Sequence, residues 1–380
     1  MKFKILHVIN TCDPASGGPV EGLKQLYKSY KKNKIHCEIL SSDTIQKAKK
    51  FQYGLPLINA TGPSITKFNF NPKLIKWLKT NIYRFDHIII NGIWLYHNYA
   101  VWKIASKTNT PYSIFPHGAL DPWFKKKYPI KHFIKNIIWH LIQKKVFKSA
   151  KSIFFTTDLE KNLANKTFNF KDIHSKTIGY GIFGNYNFNN KKNLFLKKYP
   201  KLESKKLIVF LGRIHEKKGL DILIKTFLET YDLNKSFHLV IAGTGEKKLI
   251  NELKSLIPKK NKNDITWTGL LLKKIKWDLF NSTYLFCLPS HQENFGISVV
   301  EALSSKVPVL ISNQINIHQM ITKYNAGKVS QDNFISYKKN YIKMIKLLEK
   351  NYKQISKNSL KCFKKEFFID NYFKNLIKNL

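Results

Sequence analysis

The sequence predicts an α/β protein made of two parallel-sheet units, and three observations carry that reading. Its 380 residues exceed what one ordinary core needs. With 43% hydrophobic and 14% aromatic residues, there is apolar material for two cores, and a disordered chain is excluded. Short β-rich runs also alternate with amphipathic stretches along the whole chain, the pattern of repeated β-α-β units.

In the first half the strand candidates are residues 3–9, 37–41, 87–91, 112–115 and 152–156, with helical spacing over 22–31, 72–80 and 130–148. The second half is more regular. Strands are expected at 207–211, 237–242, 265–268, 284–288 and 308–312, and helices at 220–230, 246–257, 273–281 and 297–304. Residues 181–203 are rich in Asn and Lys without a period and read as a linker. The expected division is therefore a first domain over 1–180, a second over 204–345, and a helical tail over 346–380. A parallel sheet offers ligands the carboxyl ends of its strands, so motifs there carry the chemistry.

Residues 1–9 are basic, then apolar, and interrupted by His7, which suits a first strand better than a secretory leader. No apolar run approaches the length of a membrane-spanning helix. Cys12, Cys37, Cys287 and Cys362 lie far apart with no C-x-x-C spacing, so a reducing cytoplasm is the expected compartment.

A net charge of +42 invites a nucleic-acid reading. Two observations count against it. Only Arg84 and Arg213 among the 66 basic residues are arginine, so lysine fills exposed positions as a compositional bias. The charge is also even: residues 1–180 hold 30 basic and 9 acidic residues, and 181–380 hold 36 and 15, giving +21 each. No nucleic-acid partner is expected. Residues 121–151 are denser, with nine lysines and one acid among aromatic and aliphatic residues at helical spacing. Such a segment suits peripheral contact with an anionic leaflet, and equally an ordinary helix packed on a sheet with a solvated basic face.

Three motifs follow strands. Ser16-Gly17-Gly18-Pro19 opens a helix, where backbone amides can approach an anion. Gly212-Arg213 through Lys218-Gly219 leaves a strand, turns, and enters a helix. A guanidinium fork and an ammonium beside a helix start suit a diphosphate. The third motif, Glu293-Asn294-Phe295-Gly296 followed by Glu301, places two carboxylates with seven residues between them around a helix start, as acceptors for vicinal hydroxyls of a ribose or a sugar. At Gly243-Thr244-Gly245 the third glycine of a dinucleotide fingerprint is replaced by Lys248, which argues against a nicotinamide site.

Together, Gly-Arg-x4-Lys-Gly-x-Asp, Val-Ile-Ala-Gly-x-Gly and Glu-x7-Glu enclosing Asn-Phe-Gly resemble the retaining glycosyltransferases of family 4. In the first half, Gly17-Gly18 and Pro116-His117-Gly118-Ala119 resemble the same family, in particular its members that build surface polysaccharide and lipopolysaccharide. The resemblance implies a GT-B fold, in which two Rossmann-like domains face a cleft. It implies that Arg213 and Lys218 hold the donor diphosphate, with the Gly212 turn beside them. Glu301 would bind the ribose, Glu293 the donor sugar, and the amides of Asn294, Phe295 and Gly296 the sugar and phosphate. His117 would contact the donor sugar, and Gly17 and Gly18 would close over phosphate or acceptor. Its implied partners are a nucleoside-diphosphate sugar and a glycan or lipid-linked acceptor, with no cofactor and no metal, agreeing with the absence of an Asp-x-Asp motif. The sequence departs from the family at Ser305-Lys306 and Asn313–Ile317, which bears on donor specificity. A nucleotide-sugar epimerase of the same fold is the alternative, with a basic nucleic-acid-binding protein more remote.

Overall fold

In the computed structural model, which describes residues 3–185, 193–231, 235–271 and 273–380, the strands gather into two wholly parallel sheets. The first contains β1 (Lys4–Ile9), β2 (His36–Ser41), β3 (Leu57–Ala60), β4 (His87–Asn91), β5 (Tyr112–Phe115), β6 (Ser152–Phe155) and β7 (Ser175–Thr177), in the order β3-β2-β1-β4-β5-β6-β7. The second contains β8 (Lys206–Leu211), β9 (Phe237–Ala242), β10 (Ile265–Gly269), β11 (Thr283–Leu288), β12 (Val309–Ser312) and β13 (Gly327–Ser330), in the order β10-β9-β8-β11-β12-β13. Helices cover the faces of such sheets, which is why their central strands read as unbroken apolar runs: Ile88, Ile89 and Ile90 in β4, and Leu207 to Phe210 in β8, are all buried.

The strand order decides where ligands can bind. In each sheet the chain starts in the middle, builds to one side, then returns to build the other. The loops after β1 and β4 therefore diverge at one switch point, and those after β8 and β11 at a second. The loops after β8 and β11 are the Arg213/Lys218 and Glu293 motifs. Their proximity follows from topology.

One compact unit comprises Met1–Ile182 with Ile369–Leu380, and the other Phe183–Phe368. The segment 346–380, expected as one tail, is thus divided. Residues up to 362 complete the helix Phe334–Cys362 of the second unit, while the helix Ile369–Asn379 belongs to the first. There Tyr372 lies 5.2 Å from Tyr180, and Phe373 5.9 Å from Tyr30, ring centre to ring centre. The expected linker 181–203 also holds structure, since Leu194–Lys198 is helical; residues 186–192 of it lie outside the described residues.

The stretch 130–148 is not one regular helix. It runs as Pro129–Ile138, a wider turn over Trp139–Gln143, and Lys144–Lys148. Trp139 anchors it, 1% exposed, with Phe168, Phe147 and Phe170 at 4.7, 5.2 and 5.7 Å between ring centres. No helix among the described residues is long and apolar enough to cross a membrane. Trp139→Ala is expected to destabilise the first unit by about 3–5 kcal/mol, the cost of emptying a buried aromatic site. Urea unfolding checks this, and a loss below about 1 kcal/mol would mean the anchor lies elsewhere.

Candidate active site

In the second unit, β8 ends at Leu211 and the chain passes Gly212 and Arg213 into a short turn over Glu216–Lys218. His215 braces the turn, its Nδ1 accepting from the Lys217 N–H at 3.2 Å. Gly219 then takes φ 62° and starts the helix Leu220–Thr230. A Cβ there would stand 2.1 Å from the Pro289 carbonyl oxygen, so only glycine lets this turn meet the loop after β11. A second link follows directly: the His291 N–H donates to the Lys217 carbonyl at 2.7 Å.

With the loops joined, their charged groups meet. The Lys218 ammonium pairs with the Glu293 carboxylate, and Lys217 Nζ donates to Gln292 Oε1 at 3.3 Å. The Lys218 and Glu293 side chains are only 13% and 17% exposed. Burial, followed by the neighbouring Lys217 and Arg213 charges, pushes the Lys218 ammonium down to about 7. Arg213 itself is exposed and takes part in no ion pair among the described residues.

Glu293 is fixed from its other side by the loop after β12. Its N–H donates to the Gln314 carbonyl at 3.1 Å, and its carbonyl accepts from the Asn316 N–H at 3.2 Å. Asn316 Nδ2 also reaches Asn294 Oδ1 at 3.2 Å. The stretch Asn313–Ile317, which departs from the family pattern, is therefore the brace of the Glu293 loop. Gly296, at φ 74°, begins the helix Ile297–Ser304. Phe295 is buried edge-on against Phe367 at 5.6 Å, so its ring belongs to the core and only its backbone can serve a ligand. Glu301, one turn into that helix, is 5% exposed and pairs with Lys276 of the helix Lys273–Asn281.

The first unit assembles a different set. His117 follows β5 in a left-handed conformation, φ 51°, with Gly118 at φ 77°. Glu160 holds this loop, its buried carboxylate accepting from the Gly118 N–H at 2.7 Å and from the Thr156 N–H and hydroxyl at 2.8 and 2.7 Å. His117 stacks on Phe115 and donates from Nε2 to Asn91 Oδ1 at 3.3 Å. Asn91 Nδ2 lies 3.2 Å from His7 Nδ1, and His7 Nε2 lies 3.0 Å from the Tyr30 hydroxyl. Burial pushes His117 down to about 4. It is a neutral ring at physiological pH.

Gly17, at φ 84°, precedes the helix Gly18–Lys32. Tyr180 ties this helix start to the His117 ring: its hydroxyl donates to the Gly18 carbonyl at 3.3 Å, and its ring meets His117 edge-on at 6.3 Å. Gly22 makes room, since a Cβ there would fall 1.4 Å from the Tyr180 hydroxyl.

Within the second unit the structure thus brings Arg213, Lys218 and Glu293 to one switch point, with Gly296 and Glu301 on the helix that follows. Within the first it brings Gly17, Gly18 and His117 around Tyr180. Sequence reasoning missed Lys276, one of many lysines with nothing to single it out, and Asn91 and Tyr180, whose roles come only through pairing. Glu160 had a signal: Thr157-x-x-Glu160 is a capping-box pattern, with the Thr157 hydroxyl accepting from the Glu160 N–H at 3.0 Å. Among the described residues no group of three or more His, Cys, Asp or Glu is placed to hold a metal ion.

Residues 191–361 match the family described as glycosyl transferases group 1. Mannosylfructose-phosphate synthase of Agrobacterium fabrum is 24% identical over 65% of this chain, but the match spans 59% of that relative, less than two thirds of its length. The GDP-mannose:cellobiosyl-diphosphopolyprenol alpha-mannosyltransferase of Komagataeibacter xylinus is 21% identical over 87% of this chain and 81% of its own. Among solved structures, Anabaena Alr3699/HepE in complex with UDP-glucose superposes with a TM-score of 0.78 at 14% identity, covering 99% of this chain and 98% of that one. That likeness establishes the fold.

The Lys218 geometry yields a pH prediction. An anionic diphosphate beside the ammonium favours its charged form, so binding takes up a proton wherever Lys218 is neutral in the free protein. Affinity for a nucleoside diphosphate should therefore fall as pH rises above about 7, by up to roughly tenfold per unit. Calorimetric titration with UDP or GDP between about pH 7.5 and 9, above the second phosphate ionisation, checks this. Lys218→Arg should flatten the profile, because guanidinium stays charged. An unchanged slope in that variant would assign the effect to another group.

Proposed function

Because the chain belongs, over residues 191–361, to the group 1 glycosyltransferases, the retaining family 4 with GT-B architecture, we propose that it moves a sugar from a nucleoside-diphosphate sugar to a glycan or lipid-linked glycan acceptor. The second unit is the donor side and the first the acceptor side. The observation that carries this reading is the Lys218–Glu293 pair, held between two loops at the switch point of the second sheet.

In the free protein the two charges satisfy each other. A nucleoside-diphosphate sugar offers each a better partner: phosphate oxygens for Lys218, and sugar hydroxyls for Glu293. Arg213 adds a second cation from solvent. As the bond between the anomeric carbon and the phosphate oxygen breaks, negative charge grows on the diphosphate, where Arg213 and Lys218 offset it. The acceptor hydroxyl attacks the anomeric carbon from the face the phosphate leaves, and its proton passes to that phosphate. Configuration is retained. Glu301 accepts from the ribose hydroxyls, exchanging its Lys276 partner in part. Amides at Asn294, Phe295 and Gly296 receive sugar and phosphate oxygens at the helix start. In the first unit the proposed roles are hydrogen bonding to the donor sugar for neutral His117 and closure over phosphate or acceptor for Gly17-Gly18.

The acceptor class is supported by the names of two relatives. One carries in its name a diphosphopolyprenol-linked oligosaccharide, and another O-antigen biosynthesis. We read this chain as acting on the cytoplasmic side of a membrane, in surface polysaccharide or lipopolysaccharide assembly, with peripheral contact through 121–151.

Two experiments test the reaction. Arg213→Ala and Lys218→Ala should each lower turnover at saturating donor by about 10²–10³. Arg213→Ala should keep the unfolding midpoint within a few degrees, whereas Lys218→Ala, which strands the Glu293 carboxylate, should lower it. Wild-type turnover in either variant would sink the assignment. Transfer should also continue in excess EDTA, since the leaving group is met by two side-chain cations. Activity abolished by chelation and restored by Mg²⁺ or Mn²⁺ would show that a metal does that work.

A further inference from the structure

We infer that the helix Pro129–Ile138 and the turn after it form a membrane-inserting face, in which Ile130, Phe133, Ile134, Ile137 and Leu141 enter the lipid of an anionic leaflet. This deepens the peripheral contact proposed above, and it can hold or fail independently of the transfer reaction. The contact is hydrophobic insertion from a specified face, with the surrounding lysines as its electrostatic rim.

The helix Pro129–Ile138 has no buried residue, although half of its positions are Ile or Phe. Ile130, Phe133, Ile134, Ile137 and Leu141 are 78%, 66%, 52%, 47% and 65% exposed. At about 100° per residue these positions fall within one arc of about 100°, a continuous stripe. The opposite side carries Trp139, locked into the aromatic core. The anchor thus fixes which face points outward, so the stripe is a feature of the folded unit. Single exposed apolar residues are ordinary, but a contiguous row of five marks a surface that is covered by something.

Charge selects what covers it. From Pro122 to Lys151 there are nine lysines and no aspartate or glutamate. Lys131 and Lys135 lie on the same helix as the stripe, their ammonium groups 5.0 Å from the Tyr128 ring centre and 5.4 Å from that of Trp94. Burial and the Lys131 charge lower Lys135, but neither neighbour is an acid. A second copy of the chain would set nine lysines against nine. An anionic headgroup layer above hydrocarbon matches both properties in the right order, with lysines at the phosphates and aliphatic and phenyl groups below.

The test is sedimentation of the full chain with vesicles of phosphatidylcholine alone or with 30% phosphatidylglycerol, in the absence of donor and acceptor. Wild-type protein is expected to bind the anionic vesicles and to keep part of that binding at 0.5 M NaCl, since salt screens lysines but not insertion. Phe133→Ser with Ile137→Ser should lower affinity at least tenfold with an unchanged thermal midpoint. Tyr53→Ser with Ile335→Ser, which removes apolar residues 81% and 80% exposed elsewhere, should bind like wild type. Changing Lys125, Lys126, Lys127 and Lys131 to Gln should weaken low-salt binding at least tenfold, leaving a residual that depends less steeply on salt. Absence of wild-type binding to anionic vesicles overturns the inference, as does equal loss in the face variant and the control pair. A wild-type dimer that Phe133→Ser/Ile137→Ser converts to monomer, without vesicle binding, assigns the stripe to a second copy and also overturns it. Because nucleotide binding is not part of this measurement, a failed donor assignment leaves its result intact.

Discussion

The arrangement of the second unit depends on one constraint: two oppositely charged groups, Lys218 and Glu293, must leave water together. Each is less than one-fifth exposed, and a charge at such a depth without its partner is strongly destabilising. The loops after β8 and β11 can therefore adopt these conformations only jointly. The strand order puts them side by side, Gly219 lets their backbones touch, and the His291–Lys217 hydrogen bond sets their register. Under the proposed function, the same constraint describes how a nucleoside-diphosphate sugar would enter. A phosphate for the ammonium and hydroxyls for the carboxylate leave no charge unpaired. Either one alone would.

How much of this was legible in the sequence follows from the physics of each part. Central strands declared themselves, because a sheet covered on both faces demands unbroken apolar runs such as Leu207 to Phe210. The edge strands β3, β7 and β13 did not: they are three or four residues long and partly exposed, and β7 and β13 carry Lys with Ser or Thr. The helix Tyr96–Thr108 also escaped notice. It contributes Tyr96, His97, Asn98, Ala100, Val101, Ile104 and Ala105 to buried surface, which leaves little amphipathic contrast to read. The motif loops were legible as strand-glycine-helix junctions bearing charge, so Arg213, Lys218, Glu293 and Glu301 could be named as candidates. Their partners were not. That Lys218 faces Glu293, or Lys276 faces Glu301, is a property of the switch point and of no local pattern.

Lysine bias hides some functions and isolates others. Where lysine fills nearly every exposed basic position, Lys276 carries no signal of its own, and the basic segment after His117 resembles background until the fold shows which side of it is buried. Arginine is the reverse case. Arg84 pairs with the buried Glu38, and Arg213 stands at the head of the β8 loop. A chain that retains only two arginines has placed one against a buried carboxylate and one where a planar, permanently charged fork is suited to phosphate oxygens.

The two units also differ in the electrostatics of their candidate groups. Around the β8 and β11 loops the working groups are ions, poised against one another. Around the His117 loop they are neutral dipoles. Burial holds His117 down to about 4 and His7 to about 3, so the chain from His117 through Asn91 and His7 to Tyr30 carries no net charge near neutrality. With Nε2–H directed to Asn91, the His117 ring keeps Nδ1 as an acceptor. Glu160 is turned inward onto Gly118 and Thr156, whose donors meet its carboxylate. It shapes the loop without projecting charge. A left-handed conformation at a non-glycine residue needs such over-determination to persist. The carboxylate therefore supplies geometry to the histidine, and the histidine supplies a hydrogen bond that stays uncharged over the same range in which Lys218 titrates.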